Sequence, residues 1–145
     1  MKDTPIIPIE PHLLEFRSHG ESAIGYLSVA QAQRDIPFEI RRIFWTYYTP
    51  QGVTRGRHAH FKTNMVLIAV HGRIEVNVET LNGVNHTFIL DHPDIGLFVP
   101  SLSWHTMQYS HDAVQIVLTD TIYTPEDYIR SYEAFEALKN AAQNS

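Results

Sequence analysis

The chain contains no cysteine. Disulfides, thiolate metal sites and cysteine nucleophiles are therefore excluded, and the want of thiols fits a reducing compartment. Cations are also scarce: 11 Lys and Arg against 16 Asp and Glu leave a net charge of −5 with histidine neutral. That balance argues against a broad cationic face for a phosphate polymer, so nucleic acid is not an expected partner. A few local arginines can still hold a small anion. Long apolar runs are missing as well. The longest, "MVLIAV" over 65–70, is far short of a membrane span. The opening "MKDTPIIPIEPHLLEFRSHG" is broken by three prolines and lacks the continuous apolar stretch of a signal peptide. The expectation is a cytoplasmic protein with no membrane partner, a single domain over 1–145 with enough length to bury a core.

What is present is a succession of short runs rich in β-branched and aromatic residues, separated by Gly, Pro, Asn and Asp. They read as strands at 23–30, 40–48, 56–60, 65–70, 73–80, 85–90, 95–100, 104–109 and 113–120. "LNG" at 81–83 signals a hairpin. In "RIEVNVE", Ile74, Val76 and Val78 alternate strictly with Arg73, Glu75, Asn77 and Glu79, the pattern of a half-buried strand. "MVLIAV" is apolar at both parities and should be covered on both faces.

The end of the chain changes period. Thr124 followed by Pro125, Glu126 and Asp127 has the composition of a helix start. Ile129, Tyr132, Phe135 and Leu138 then recur at helical spacing. Many closely spaced strands and one terminal helix predict an all-β fold, an antiparallel β-barrel or jelly roll over about 20–120 with a C-terminal α-helix over about 125–142.

Chemistry concentrates in "RGRHAH" (55–60). His58 and His60 share strand parity and point to one face. Such a pair can be half of a metal site, two proton-transfer groups, or polar decoration on a wet strand. His105, after Trp104 on a later strand, can converge on the same cavity. His12, His19, His71, His86, His92 and His111 sit mostly in turns or polar stretches and read as structural.

The HxH pair, Gly72 after a buried strand, and the later Pro100, Trp104 and His105 resemble the two motifs of the cupin superfamily. Metal-binding cupins usually carry a glutamate where this chain has Asn64, and a neutral amide brings no charge to balance a divalent cation. "IPFEIRRIFW" (36–45), "RGRHAH", "GLFVPSLSWHTM" (96–107) and "EDYIRSYEAF" (126–135) are similar to the nucleotide-sugar 3,4-ketoisomerases of the WxcM-like cupin group. The resemblance implies a metal-independent, cofactor-free isomerase acting on dTDP-4-keto-6-deoxy-glucose for bacterial surface glycans. It also implies a homodimer with an exchanged N-terminal strand.

By that resemblance His58 is the base and His60 its partner for protons on the sugar oxygens. Histidine suits both tasks, because it titrates near pH 6.5. Arg55 and Arg42 match the family's arginines and are candidates for the diphosphate, with Arg57 as an extra contact. Phe44 stands where the family has a lumen tyrosine, and Tyr48, of the same parity, is a candidate to supply a hydroxyl elsewhere in the cavity. Two rival readings are an epimerase or metal-dependent cupin, and a non-catalytic sugar-nucleotide-binding domain.

Overall fold

Alternation in the strands dictates two faces, and the fold uses both. A computed structural model describes residues 7–144; the first six residues of the N-terminal stretch lie outside the described residues. One five-stranded sheet has the order β1 (His12–Glu15), β9 (Ile95–Val99), β6 (Met65–His71), β11 (Val114–Thr119), β4 (Arg42–Tyr47). The other runs β12 (Tyr128–Ile129), β5 (Thr54–His60), β10 (Trp104–Tyr109), β7 (Ile74–Glu79), β8 (Asn85–Leu90). Paired strands within both sheets are antiparallel throughout. The two sheets close on each other as the cupin-like jelly roll.

Inward residues of the two sheets form one core: Leu67, Leu97 and Val99 from the first meet Ile74, Val76, Val78 and Leu90 from the second. The doubly apolar strand β6 is covered on both sides, as its composition requires. Its outward Val66 and Ile68 pack against Phe16, Ile36 and Phe38 from the preceding chain. On the other sheet, helix α1 (Tyr132–Gln143) lies over the outer face and buries Phe135 against Ala59 and Ile129. That cover explains Glu79, outward by alternation yet buried. It accepts hydrogen bonds from the Tyr132 hydroxyl at 2.7 Å and Lys139 Nζ at 3.2 Å.

Three boundaries differ from the sequence reading. The barrel recruits residues before position 20, because β1 pairs with β9, while β2 (Arg17–Glu21) and β3 (Gly25–Val29) form a hairpin of their own. Residues 80–84 join β7 to β8 as a five-residue loop, closed by Thr80 N–H donating to the Val84 carbonyl at 3.1 Å. The helix begins at Tyr132, capped by the Ser131 hydroxyl, which accepts from Ala134 N. Thr124 makes no side-chain cap, and residues 125–127 form only a single 3₁₀ turn.

The cause of the late helix start is the edge of β5. Tyr128 and Ile129 pair with His60 and Ala59. Asp127 secures that pairing: its carbonyl accepts from Phe61 N at 2.9 Å, its Oδ1 from Lys62 N at 2.7 Å, and its Oδ2 from the Thr63 hydroxyl. Sheet hydrogen bonds and burial of Ile129 outweigh one more turn of helix. No helix among the described residues is long and apolar enough to cross a membrane.

Candidate active site

β4 is the last strand of one sheet and β12 the last of the other, and a slot of about 210 Å³ opens between them. β4 contributes Arg42, Phe44 and Thr46; β5 contributes Arg55, Gly56, His58 and His60; Tyr128 comes from β12. The floor is mostly apolar (Met65, Leu67, Met107, Val117) with His105, Tyr109 and Gln115 set into it. Among the described residues no Asp or Glu lines the slot. A larger hollow of about 490 Å³ lies under residues 7–10 and the 80–82 and 100–103 loops, but none of the three histidines reaches it. The chemistry belongs to the smaller space.

The histidines meet as parity demands. Ring centroids of His58 and His60 are 5.0 Å apart, His58 and His105 4.6 Å, and His60 and His105 5.9 Å. Tyr128 closes the group at 5.1 Å from His58 and 4.5 Å from His60. Helical periodicity around Tyr128 predicts a helix there; the open edge of β5 makes it a strand beside the histidines instead. His58 Nδ1 bonds the Gly56 carbonyl at 3.1 Å and His105 Nδ1 bonds the Ser103 carbonyl at 3.3 Å. A ring nitrogen facing a carbonyl must carry the proton, so the basic nitrogen of His58 is Nε2. His60 Nε2 is enclosed and has no hydrogen-bond partner among the described residues.

All three imidazoles are held neutral. Burial is the main cause in each case, because an apolar setting disfavours the imidazolium. It lowers His58 against the opposing pull of the Gly56 carbonyl, with Arg130 adding to the shift. It takes His60 to about 4, helped by His58, Arg42 and Arg130 and opposed by Asp127. His105, fully enclosed, falls well below its ordinary value, with His58 and His60 contributing.

Strict alternation would put Arg55 and His58 on opposite faces, yet both line the slot. A β-bulge resolves this. His58 faces His105 and Gly56 faces Thr106 across the ladder, which leaves Arg57 without a partner. Gly56 and Arg57 take φ of 85° and 61°. A Cβ on Gly56 would come within 2.8 Å of the His105 carbonyl oxygen, so the bulge needs glycine. The extra residue turns Arg55 inward opposite Met107 and leaves Arg57 exposed outside the slot. Arg57 is therefore corrected from a site contact to a bulge residue.

Tyr48 is corrected too. β4 ends at Tyr47, Tyr48 takes φ 58°, and its side chain is 77% exposed beside Tyr47 rather than in the slot. Arg42 does line the slot, donating Nε–H to Thr119 Oγ1 at 3.3 Å and sitting 5.5 Å from the Phe44 ring centre. Arg130, not singled out in the sequence, lies 4.2 Å from the centre of the Tyr128 ring. The arginine and lysine ion pairs among the described residues involve Arg17, Arg41, Arg73 and Lys139, and Arg42, Arg55 and Arg130 take part in none of them.

Asn64 is turned away from the histidines. Its Nδ2 donates to Asp120 Oδ2 at 2.8 Å and its Oδ1 accepts from Ser101 N at 2.9 Å. Among the described residues no group of three or more His, Asp or Glu is placed to hold a metal ion.

The model of the FdtA family, described as "WxcM-like, C-terminal", matches residues 10–140. The chain belongs to the WxcM-like family, and it is an isomerase. It is 35% identical over 113 residues to the TDP-4-oxo-6-deoxy-α-D-glucose-3,4-oxoisomerase of Aneurinibacillus thermoaerophilus, covering 77% of this chain and 81% of that protein. Among solved structures, a 3,4-ketoisomerase from Helicobacter canadensis superposes with a TM-score of 0.85 at 32% identity, over 92% of this chain and 99% of its own. A mutant of the 3,4-ketoisomerase QdtA from Thermoanaerobacterium thermosaccharolyticum, in complex with TDP-4-keto-6-deoxyglucose, gives 0.85 at 26% identity, over 92% and 97%.

Proposed function

We propose that this chain moves the ketone of TDP-4-keto-6-deoxyglucose from C4 to C3, with His58 as the base on carbon. The supporting observation is a slot with three neutral imidazoles, a phenol and two guanidinium groups, and no carboxylate among the described residues of its walls. An epimerase of this fold that pairs histidine with aspartate would need a carboxylate there.

His58 Nε2 takes the C3 proton, and the electron pair left behind forms the C3–C4 double bond of an enediol as O4 gains a proton. The enediol then collapses: O3 gives up its proton, C3 becomes the ketone, and C4 takes a proton. No electrons leave the substrate, so the reaction is balanced without a redox partner. A neutral His60 can accept from one enediol oxygen and donate to the other, and the Tyr128 phenol adds a second donor beside it. Arg42 and Arg130 oppose the negative charge that develops on oxygen. Arg55 and Arg42, at opposite ends of the slot, are the cations available to the diphosphate.

The deciding experiment follows the C3 proton of TDP-4-keto-6-deoxyglucose by NMR in deuterium oxide. The wild type should exchange it and form the 3-keto product. His58→Ala should exchange about 10²–10⁴-fold more slowly, while TDP affinity changes little, because the base acts in the transition state. Wild-type exchange in a folded His58→Ala protein would remove His58 from the role.

A cytoplasmic location follows from the same reading, since nucleotide sugars are made and used there. The working form is a homodimer. Ile43, Trp45 (62% exposed) and Tyr47 alternate along the outer face of β4, a larger apolar stripe than a solitary domain commonly leaves in water. A monomeric mass at micromolar concentration would refute the dimer.

A further inference from the structure

Two buried polar residues of the slot have no part in the chemistry above. Gln115 and Tyr109 are 1% and 3% exposed, yet both line it. The Tyr109 hydroxyl donates to Gln115 Oε1 at 2.6 Å, and Gln115 Nε2 donates to Met107 Sδ at 3.2 Å. Burial pushes the Tyr109 phenol up to about 12, so it remains a donor and fixes the amide with its oxygen toward the phenol. The amide nitrogen is poorly served. A thioether is a weak acceptor, and the second N–H has no acceptor among the described residues. Buried amides are costly unless bonded, so an under-used donor on a cavity wall calls for a ligand oxygen.

Register says which oxygen. His105 stands opposite His58, and Met107, the next inward residue of β10, stands opposite Arg55. Gln115 reaches Met107, so its amide lies at the Arg55 level, one inward step of about 7 Å from the His58 level. In a nucleotide-linked hexose, C2 lies between C3, whose proton His58 removes, and C1, which carries the diphosphate. We propose that Gln115 donates to the C2 hydroxyl of the keto sugar, with the diphosphate directed to Arg55. The inference rests on the ketoisomerase reading. The opposite orientation, with the diphosphate at Arg42, would bring C4 and its keto oxygen to the amide instead. Arg55 is the better diphosphate partner because Arg42 already gives its Nε–H to Thr119 Oγ1 at 3.3 Å, and a ratio indifferent to the 2-hydroxyl would reveal the reversed pose. Gln115 is thus a specificity residue that favours 2-hydroxy over 2-deoxy sugars, and Tyr109 is its positioning residue.

The test compares kcat/KM for TDP-4-keto-6-deoxyglucose and its 2-deoxy counterpart in the wild type, Gln115→Leu, Gln115→Met and Tyr109→Phe. The wild type should prefer the 2-hydroxy substrate by about 10–100-fold, the cost of leaving a buried donor without its acceptor. Both Gln115 variants should lose rate on that substrate alone, bringing the ratio to within about threefold, and Tyr109→Phe should give an intermediate ratio. Equal losses on both substrates, as a merely structural role would produce, overturn the proposal, as does an unchanged ratio. A wild type that isomerises the 2-hydroxy sugar while the ratio stays fixed across the variants defeats the Gln115 assignment only. A wild type inert toward that sugar defeats the ketoisomerase reading, and this inference with it.

Discussion

Acid should destabilise this protein through His60 in a measurable window. The ring is buried and neutral, with its pKa near 4, while in the unfolded chain it returns to about 6.5. Between those values the unfolded state binds the extra proton. Stability therefore falls as pH drops below 6.5 and stops falling, for this residue, below about 4. Integrated from pH 7 to pH 5, His60 alone accounts for a loss of about 2 kcal/mol. His58 and His105 are shifted the same way and add to it. Urea unfolding at the two pH values, for the wild type and His60→Gln, isolates the contribution from that of the carboxylates. The variant should be less sensitive to acid by about 2 kcal/mol. The same depressed values place the acid limb of kcat/KM below pH 6.5, because His58 stays in its basic form down to its lowered pKa. Identical acid sensitivity in the two proteins would show that His60 is not a buried neutral ring, and its role between the enediol oxygens would lose its basis.

Tyr128→Phe keeps the ring packed on both histidines but removes the hydroxyl, so turnover should drop about 10–100-fold with TDP affinity unchanged; an unaltered kcat would exclude the phenol from proton handling. Gly56→Ala places a Cβ 2.8 Å from the His105 carbonyl at a left-handed φ, so the bulge must shift. TDP affinity and turnover should then fall together as Arg55 and His58 lose their common face, and a variant with both intact would show that the bulge is not what joins them.

Much of the fold is legible because apolar contact along a strand has period two. β7 alternates cleanly, and its Ile74, Val76 and Val78 are all buried. β6 is apolar at both parities and is enclosed on both faces. The short N-terminal strands lack that signal: β2 (RSHGE) carries almost no apolar residue and is held by its neighbour β3 instead. The helix starts later than its local signals predict because two signals compete at 124–131. Proline and acids mark a helix N-terminus, but the unpaired edge of β5 offers hydrogen bonds and a buried place for Ile129. That edge exists only once the barrel has closed, and no local window contains it.

The same distinction separates the site residues that parity could find from those it could not. His58 and His60 are two apart on one uninterrupted stretch, so alternation brings them together. Arg55 breaks the rule, and the sequence does carry a sign of why: Gly56 inside a strand pattern often marks a bulge. Counting Arg57 as the extra residue moves Arg55 inward and Arg57 outward, which is the observed arrangement. Gln115 had a signal of another kind, a lone amide within the apolar strand "VQIVL". A polar side chain at an inward position must find partners or a ligand, and among the described residues Gln115 finds one strong partner, Tyr109. Tyr128 had no comparable signal. Its place beside the histidines depends on Asp127 joining a segment more than 60 residues downstream to the backbone after His60, a contact that only the closed barrel creates. Residues that perform chemistry at one strand level can thus be read from spacing, whereas those delivered by bulges and edge pairing require the tertiary hydrogen bonds to be known.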